Sequence, residues 1–292
     1  MSRSPLARYA LGHTFQNPIL LAAGTAGYGR ELDGIVDLDC LGGLITKAVS
    51  LAPRHGNAAP RVAEFAGGML NSVGLANPGM AHVRTEELPW LRTHLARAKV
   101  LVNVVGFTES EYSEVIAGIE DGAAEGIAAY EINLSCPNTA AGGVEFGAEA
   151  GSVSRVIAGC RAVTGRALVA KLSPALPDIP AIAEAAVRAG ADGISVVNTM
   201  PGYLYDGALP RLGNGNGGVS GPALLPIGVL AVRRVKERLP NSAVIGVGGV
   251  SSAADVRQYL AAGADLVAIG TAQLADPRLP ERIVRDLERS GD

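Results

Sequence analysis

Short apolar runs recur along the chain at residues 17–24, 41–49, 99–106, 128–136, 167–174, 190–199, 243–250 and 266–272. Each is a continuous β-rich run bounded by Gly or Pro, the pattern of strands buried on both faces of a parallel sheet. Between them the Ala- and Glu-rich segments 109–125, 178–189, 226–239 and 252–262 carry helical spacing. Eight strand-then-helix units predict an α/β fold, a single (β/α)₈ TIM barrel taking residues 1–292 as one domain. Two connections, residues 50–79 after the second strand and 200–221 after the sixth, exceed the ~12–15 residues of an ordinary loop. Both insertions follow a strand, so both are expected to roof the C-terminal face, where such barrels keep their chemistry. Residues 6–15 are expected to form a small hairpin plugging the other end.

Polar residues interrupt the apolar runs near their C-terminal ends: Thr46 and Lys47, Asn103, Asn133 with Cys136, Lys171, and Asn198 with Thr199. A buried Asn or Lys costs several kcal/mol if left unpaired. Five successive strands each delivering such a group to one end of a barrel point to a shared polar ligand. Strands seven and eight end instead in Gly246-Val247-Gly248-Gly249 and Gly270-Thr271. Barrels commonly bind phosphate there, on backbone N–H groups and a helix N-terminus. Tight turns alone would also use these glycines.

Composition narrows the classes. The 292 residues are 48% apolar and 18% charged, enough for a sizeable core. A formal charge of −3, with no basic stripe, argues against nucleic-acid binding. Cys40, Cys136 and Cys160 are scattered and odd in number, which fits a reducing compartment and neither a disulfide framework nor a cysteine-ligated cluster. No apolar run approaches the ~18 residues that span a bilayer, and residues 1–15 lack the apolar stretch of a signal peptide. A cytoplasmic protein without membrane attachment is expected.

None of His13, His55, His82 and His94 falls at a strand's C-terminal end, so no histidine base or histidine-based metal site is expected. Cys136, in N-L-S-C-P-N-T between Asn133 and Asn138, is the best candidate to move a proton; a buried inert thiol is the alternative. A thiol of ordinary pKa ~8.5 is mostly protonated at neutral pH, so an alkaline-leaning rate profile would follow. The two carboxamides suit a flat substrate whose edge alternates N–H and C=O groups. Lys47 is placed to meet a substrate carboxylate, and Lys171 a cofactor ring that gains negative charge on reduction.

Taken together, N-L-S-C-P-N (133–138), T-K-A-V (46–49), N-S-V-G-L-A-N (71–77), K-L-S-P (171–174), G-G-V-S-G-P-A (217–223) and G-V-G-G-V (246–250) resemble the catalytic barrel of class 1 dihydroorotate dehydrogenases, from about residue 6 to residue 277. G-T-A-G-Y-G-R-E (24–31) and P-R-H-G-N (53–57) resemble the NAD-linked branch more than the fumarate-linked one. The resemblance implies an FMN oxidoreductase of pyrimidine biosynthesis that oxidises dihydroorotate to orotate, with Cys136 taking a proton from C5 as a hydride passes from C6 to the flavin. It implies an orotate site of Lys47, Asn71, Gly74, Leu75, Asn133, Asn138, Asn198 and Thr199. It implies FMN held by Gly24, Thr46, Lys47, Asn103, Asn133, Lys171, Gly221, Gly248, Gly249, Gly270 and Thr271. It further implies a homodimer, joined in a heterotetramer by an electron-transfer subunit that carries FAD and a 2Fe–2S cluster and passes electrons to NAD⁺. Val73 and the bulky Met200-Pro201-Gly202-Tyr203 depart from the family pattern, the latter at the expected roof.

Other flavin barrels fit less well. The catalytic part of a dihydropyrimidine dehydrogenase comes with cysteine-rich cluster domains, and a tRNA dihydrouridine synthase with a basic surface and an RNA-binding extension. A hydroxy-acid oxidase needs a histidine base, and a class 2 dihydroorotate dehydrogenase has serine in place of Cys136 and an apolar N-terminal extension. A fumarate-linked enzyme stays open, as does a non-catalytic FMN scaffold or electron-transfer subunit, which would need no base.

Overall fold

The computed structural model describes residues 5–135, 137–138 and 144–290, with the backbone alone at 137, 138 and 144. The eight apolar runs all form strands of one closed parallel barrel: Ile19–Leu21, Gly43–Ile45, Lys99–Val104, Ile127–Asn133, Ala167–Leu172, Gly193–Val196, Ala243–Val247 and Leu266–Ile269. Neighbours in sequence are neighbours in the barrel, and the eighth strand closes on the first with Val267 opposite Ile19. These are barrel strands one to eight below.

The helices form where spacing and caps agree. Glu109–Glu120, Ile179–Arg188 and Ala253–Ala261 begin after Thr108, Asp178 and Ser252, whose side chains accept the N–H of Glu111, Ala181 and Asp255. Such caps satisfy otherwise orphaned donors and contribute about 1 kcal/mol each. Leu88–His94, Ala150–Val163, Leu225–Arg238 and Leu279–Ser290 complete the longer helices of the outer ring. No helix among the described residues is long and apolar enough to cross a membrane.

The N-terminal segment is the expected hairpin: Arg8–Ala10 pairs antiparallel with His13–Phe15. Its two-residue turn takes positive φ at both Leu11 (53°) and Gly12 (77°), as a right-twisted hairpin needs. Leucine costs about 1–2 kcal/mol in that conformation, but burying its side chain returns about 1.5–3 kcal/mol. Leu11 and Phe15 are buried in one cluster with Leu20, Ile45, Leu101, Ala129, Val169, Ile245 and Leu266, so the hairpin stoppers the N-terminal mouth.

The two long connections pair with each other. Val62–Phe65 and Gly68–Asn71 from the first join Met200–Tyr203 and Asn216–Ser220 from the second in a four-stranded antiparallel sheet. Leu70 sits opposite Val219, over a small core of Ala63, Leu70 and Leu212. The Met200–Tyr203 stretch is therefore an edge strand, where a proline is tolerated because one side of its backbone needs no partner.

Candidate active site

Side chains alternate along a strand, so residues facing the barrel interior recur every second position. Two residues beyond the apolar layer that rests on the hairpin stand Ala22, Lys47, Asn103, Glu131, Lys171, Val247 and Ala268. The next layer is thus split. Strands two to five present Lys47, Asn103, Glu131 and Lys171, whereas strands seven, eight and one present small or apolar residues. Above it opens a cavity of about 930 Å³ whose walls come from the strand ends and from both insertions.

The polar side is internally braced. Asn103 and Glu131 are paired across strands three and four, and Asn103 Nδ2 donates to Glu131 Oε2 at 2.6 Å. Lys171 Nζ lies 3.7 Å from the same oxygen, with the lysine side chain 8% and the glutamate 0% exposed. Asn103 Oδ1, Glu131 Oε1 and Ser135 Oγ are buried without a partner among the described residues. Asn133 Oδ1 accepts from Asn198 Nδ2 at 3.5 Å, and Asn198 Oδ1 takes the N–H of Thr199 at 2.8 Å. Lys47 is half-buried in the cavity wall and makes no ion pair among the described residues. No histidine lines the cavity.

The roof is locked over the barrel by close backbone approach. Asn71 Nδ2 donates to the Gly218 carbonyl at 3.0 Å, tying one insertion to the other. Gly221 has φ 118°, and a Cβ there would stand 2.7 Å from Gly68 Cα. In the turn that follows Asn71, Gly74 and Leu75 take φ 72° and 58°, and both line the cavity. A leucine in that conformation stores about 1–2 kcal/mol, which Asn77 helps to hold by donating to the Leu75 carbonyl at 2.8 Å.

On the opposite side, Gly248 and Gly249 turn the chain with φ 120° and 72° after strand seven. Tyr259 donates to the Gly248 carbonyl at 2.7 Å; burial, helped by Asp255, pushes its phenol well above the ordinary range, so it remains a donor. Among the described residues, no acceptor takes the backbone N–H of Gly249, Val250 or Thr271. At Gly24 (φ 89°) a Cβ would meet nothing within 4 Å, and at Gly270 nothing nearer than 3.7 Å.

The structure thus brings into one cavity wall Gly24, Lys47, Asn71, Gly74, Leu75, Asn103, Asn133, Lys171, Asn198, Thr199, Gly221, Gly248, Gly249, Gly270 and Thr271. Thr46 stays outside it. Fully buried, its Oγ1 donates to the Lys47 carbonyl and accepts the Asn103 N–H, bracing strands two and three. Asn138 is placed only by its backbone, paired with Val144. Cys136 lies outside the described residues.

Sequence reasoning missed Glu131. The signal was there: a glutamate inside an apolar strand, two positions before Asn133 and therefore on the same face. It also passed over Arg54 and Phe107, which line the cavity with the guanidinium 3.9 Å from the ring centroid.

Comparison with known proteins gives this cavity its context. Residues 6–290 match the family model described as dihydroorotate dehydrogenase. The chain belongs to the dihydroorotate dehydrogenase family. It is an oxidoreductase built on that family's barrel. A relative from Trichlorobacter lovleyi, named dihydroorotate dehydrogenase B (NAD(+)), catalytic subunit, is 41% identical over 276 residues, 94% of this chain and 89% of its own. Proteins of the same name from Listeria monocytogenes serotype 4b and Citrifermentans bemidjiense are 41% and 39% identical, over 96% and 99% of this chain and 91% and 94% of theirs.

Proposed function

We propose that this protein is the FMN-binding catalytic subunit of an NAD-linked dihydroorotate dehydrogenase, oxidising (S)-dihydroorotate to orotate in pyrimidine biosynthesis. The observation that carries the reading is the split cavity: amides and lysines on strands two to six, small residues and unclaimed N–H groups on strands seven, eight and one. Its volume is of the size that holds a drug-sized ligand. The residues fit FMN. The N–H groups of Gly249, Val250 and Thr271 lack acceptors, as a phosphate site requires. Gly24 and Gly270 leave space that a side chain would fill, and Asn103 Oδ1, without a partner among the described residues, can take a donor from the ligand. When bound, FMN supplies the acceptor for the hydride that leaves C6 of the substrate.

Each side chain then has a task. Lys47 is without an acidic partner among the described residues and would take the substrate carboxylate. Asn71, Asn133 and Asn198 both donate and accept, matching the alternating ring edge, with Asn138 assigned alongside them from sequence. Thr199 would add a hydroxyl, while Gly74 and Leu75 shape the wall. Lys171 would face the ring that becomes electron-rich on reduction. Cys136, assigned from its sequence setting, would accept the C5 proton; with no histidine in the cavity wall, no other described group is better suited. Onward transfer to NAD⁺ would need a partner carrying FAD and a 2Fe–2S cluster, in a heterotetramer around a homodimer of this chain. The relatives are named catalytic subunits, which supports a partner of some kind.

The purified protein should be yellow, and dihydroorotate added without oxygen should bleach it at a rate that a stopped-flow instrument resolves. Cys136→Ala should slow that bleaching by about 10²–10⁴-fold, the usual worth of a general base. Colourless protein that refuses FMN overturns the reading. Turnover of the protein alone with fumarate, and none with NAD⁺ when a flavoprotein partner is present, would move it to the fumarate-linked branch.

A further inference from the structure

Glu131 has no place in the reaction just described. It does not itself line the cavity, is 0% exposed, and has no assigned part in moving the hydride or the proton. Its carboxylate nevertheless holds Lys171, assigned to the cofactor ring, and Asn103, assigned to the cofactor. Oε2 accepts from Asn103 at 2.6 Å and lies 3.7 Å from Lys171 Nζ, while Oε1 has no partner among the described residues. Anions are seldom buried in a barrel interior, because each costs several kcal/mol of desolvation that a pair often fails to repay. A methionine–leucine pair would pack there more simply. The registers also matter: Asn103 faces Glu131 across one strand pair, and strands four and five bring Lys171 to its other side.

We propose that Glu131 is a positioning residue: from beneath the cavity floor its carboxylate fixes Lys171 and Asn103 against the flavin ring and sets how readily that ring is reduced. The proposal rests on the functional reading above. Paired with Glu131, the lysine adds little net charge below the ring. With the glutamate neutralised, a net positive charge faces a ring that becomes more negative on reduction, and reduction becomes easier.

The test uses the FMN-loaded full chain and an anaerobic dye titration. Glu131→Gln keeps the shape and the acceptor for Asn103. It should raise the flavin's potential by at least the equivalent of about tenfold in the two-electron equilibrium, about 30 mV. Glu131→Asp keeps the charge but shortens the arm. It should restore the wild-type potential while slowing reduction by saturating dihydroorotate about tenfold, as a small misplacement of a reacting-site group does. Ser195→Ala is the control, since Ser195 is a buried neighbour of Lys171 on strand six whose hydroxyl has no partner among the described residues; it should leave the potential unchanged. A potential in Glu131→Gln equal to wild type, or an equal shift in Ser195→Ala, overturns the proposal. If Glu131→Gln does not fold, wild-type reduction rates in Glu131→Asp overturn it just as well. Wild-type protein that takes up no FMN, or is not bleached by dihydroorotate, instead fails the functional reading and takes this proposal with it.

Discussion

The glycine turn after strand seven offers a quantitative test of how the site is built into the backbone. Gly249 has φ 72°, and a Cβ there would stand 2.5 Å from Leu225 N, 2.8 Å from Leu225 Cβ and 2.9 Å from Leu225 Cα. All are closer than real Cβ contacts come, and the backbone atoms cannot swing aside as a long side chain could. Gly249→Ala therefore meets two separate costs. The left-handed backbone costs about 1–2 kcal/mol for any residue with a Cβ. Forcing a methyl into filled space adds about 1–3 kcal/mol. Gly122 separates them, because it has φ 95° but nothing within 4 Å of its would-be Cβ. Gly122→Ala should lose about 1–2 kcal/mol and Gly249→Ala about 2–5 kcal/mol. Both losses are measurable by urea unfolding of the FMN-free protein, followed through the single tryptophan, Trp90. Folded domains are stable by about 5–15 kcal/mol, so both variants should remain folded in buffer. Gly249→Ala should also bind FMN more weakly, since the turn carries the unclaimed N–H groups, whereas Gly122→Ala should not. Equal losses in the two variants would refute the crowding argument. Unchanged FMN affinity in Gly249→Ala would refute the assignment of this turn to the cofactor.

The two cavity lysines should behave oppositely when each is replaced. Lys47→Met, which breaks no ion pair among the described residues, should leave urea stability within about 0.5 kcal/mol and weaken orotate binding by about 10–100-fold, the worth of one charge-assisted hydrogen bond, read from the orotate-induced shift of the flavin band. Lys171→Met strands the buried Glu131 carboxylate and should cost about 3–5 kcal/mol in the same unfolding assay. Burial is the main reason that Cys40 and Cys160 hold their protons, with thiols pushed up to about 11 and about 12. A raised thiol pKa means a protonated, inert sulfur throughout the pH range below it, so native Cys136→Ala at pH 8 should show no rapid reaction with a colorimetric disulfide reagent; rapid release of a full equivalent would contradict this.

Barrel strands and cavity were legible to different depths because different physics writes them. Strands buried on both faces are uninterrupted apolar runs, and all eight could be read directly, down to the hairpin stopper whose Leu11 and Phe15 complete the apolar layer. The roof was not legible in its pairing. Leu70 meets Val219 across 149 positions of sequence, and a small cluster around Ala63, Leu70 and Leu212 leaves no periodic trace in either segment. Only the excess length of the two connections announced it. Several polar residues at strand tips that the sequence singles out do line the cavity, because a polar group at the end of an apolar run is conspicuous. Thr46 was conspicuous in the same way, yet its hydroxyl serves the backbone of strands two and three, a use that no sequence pattern separates from ligand contact. Glu131 was overlooked for the converse reason, since it stands inside its run instead of at the tip. The alternation of strand faces would have exposed it: Ala129, Glu131 and Asn133 share one face, and the three successive residues carry that face from apolar core, through a buried anion, to the cavity wall. In a closed barrel that order is forced. A charge can be tolerated only where a counter-charge from the next strand reaches it, and Lys171 meets that condition because it stands two residues beyond Val169, in the same apolar layer as Ala129.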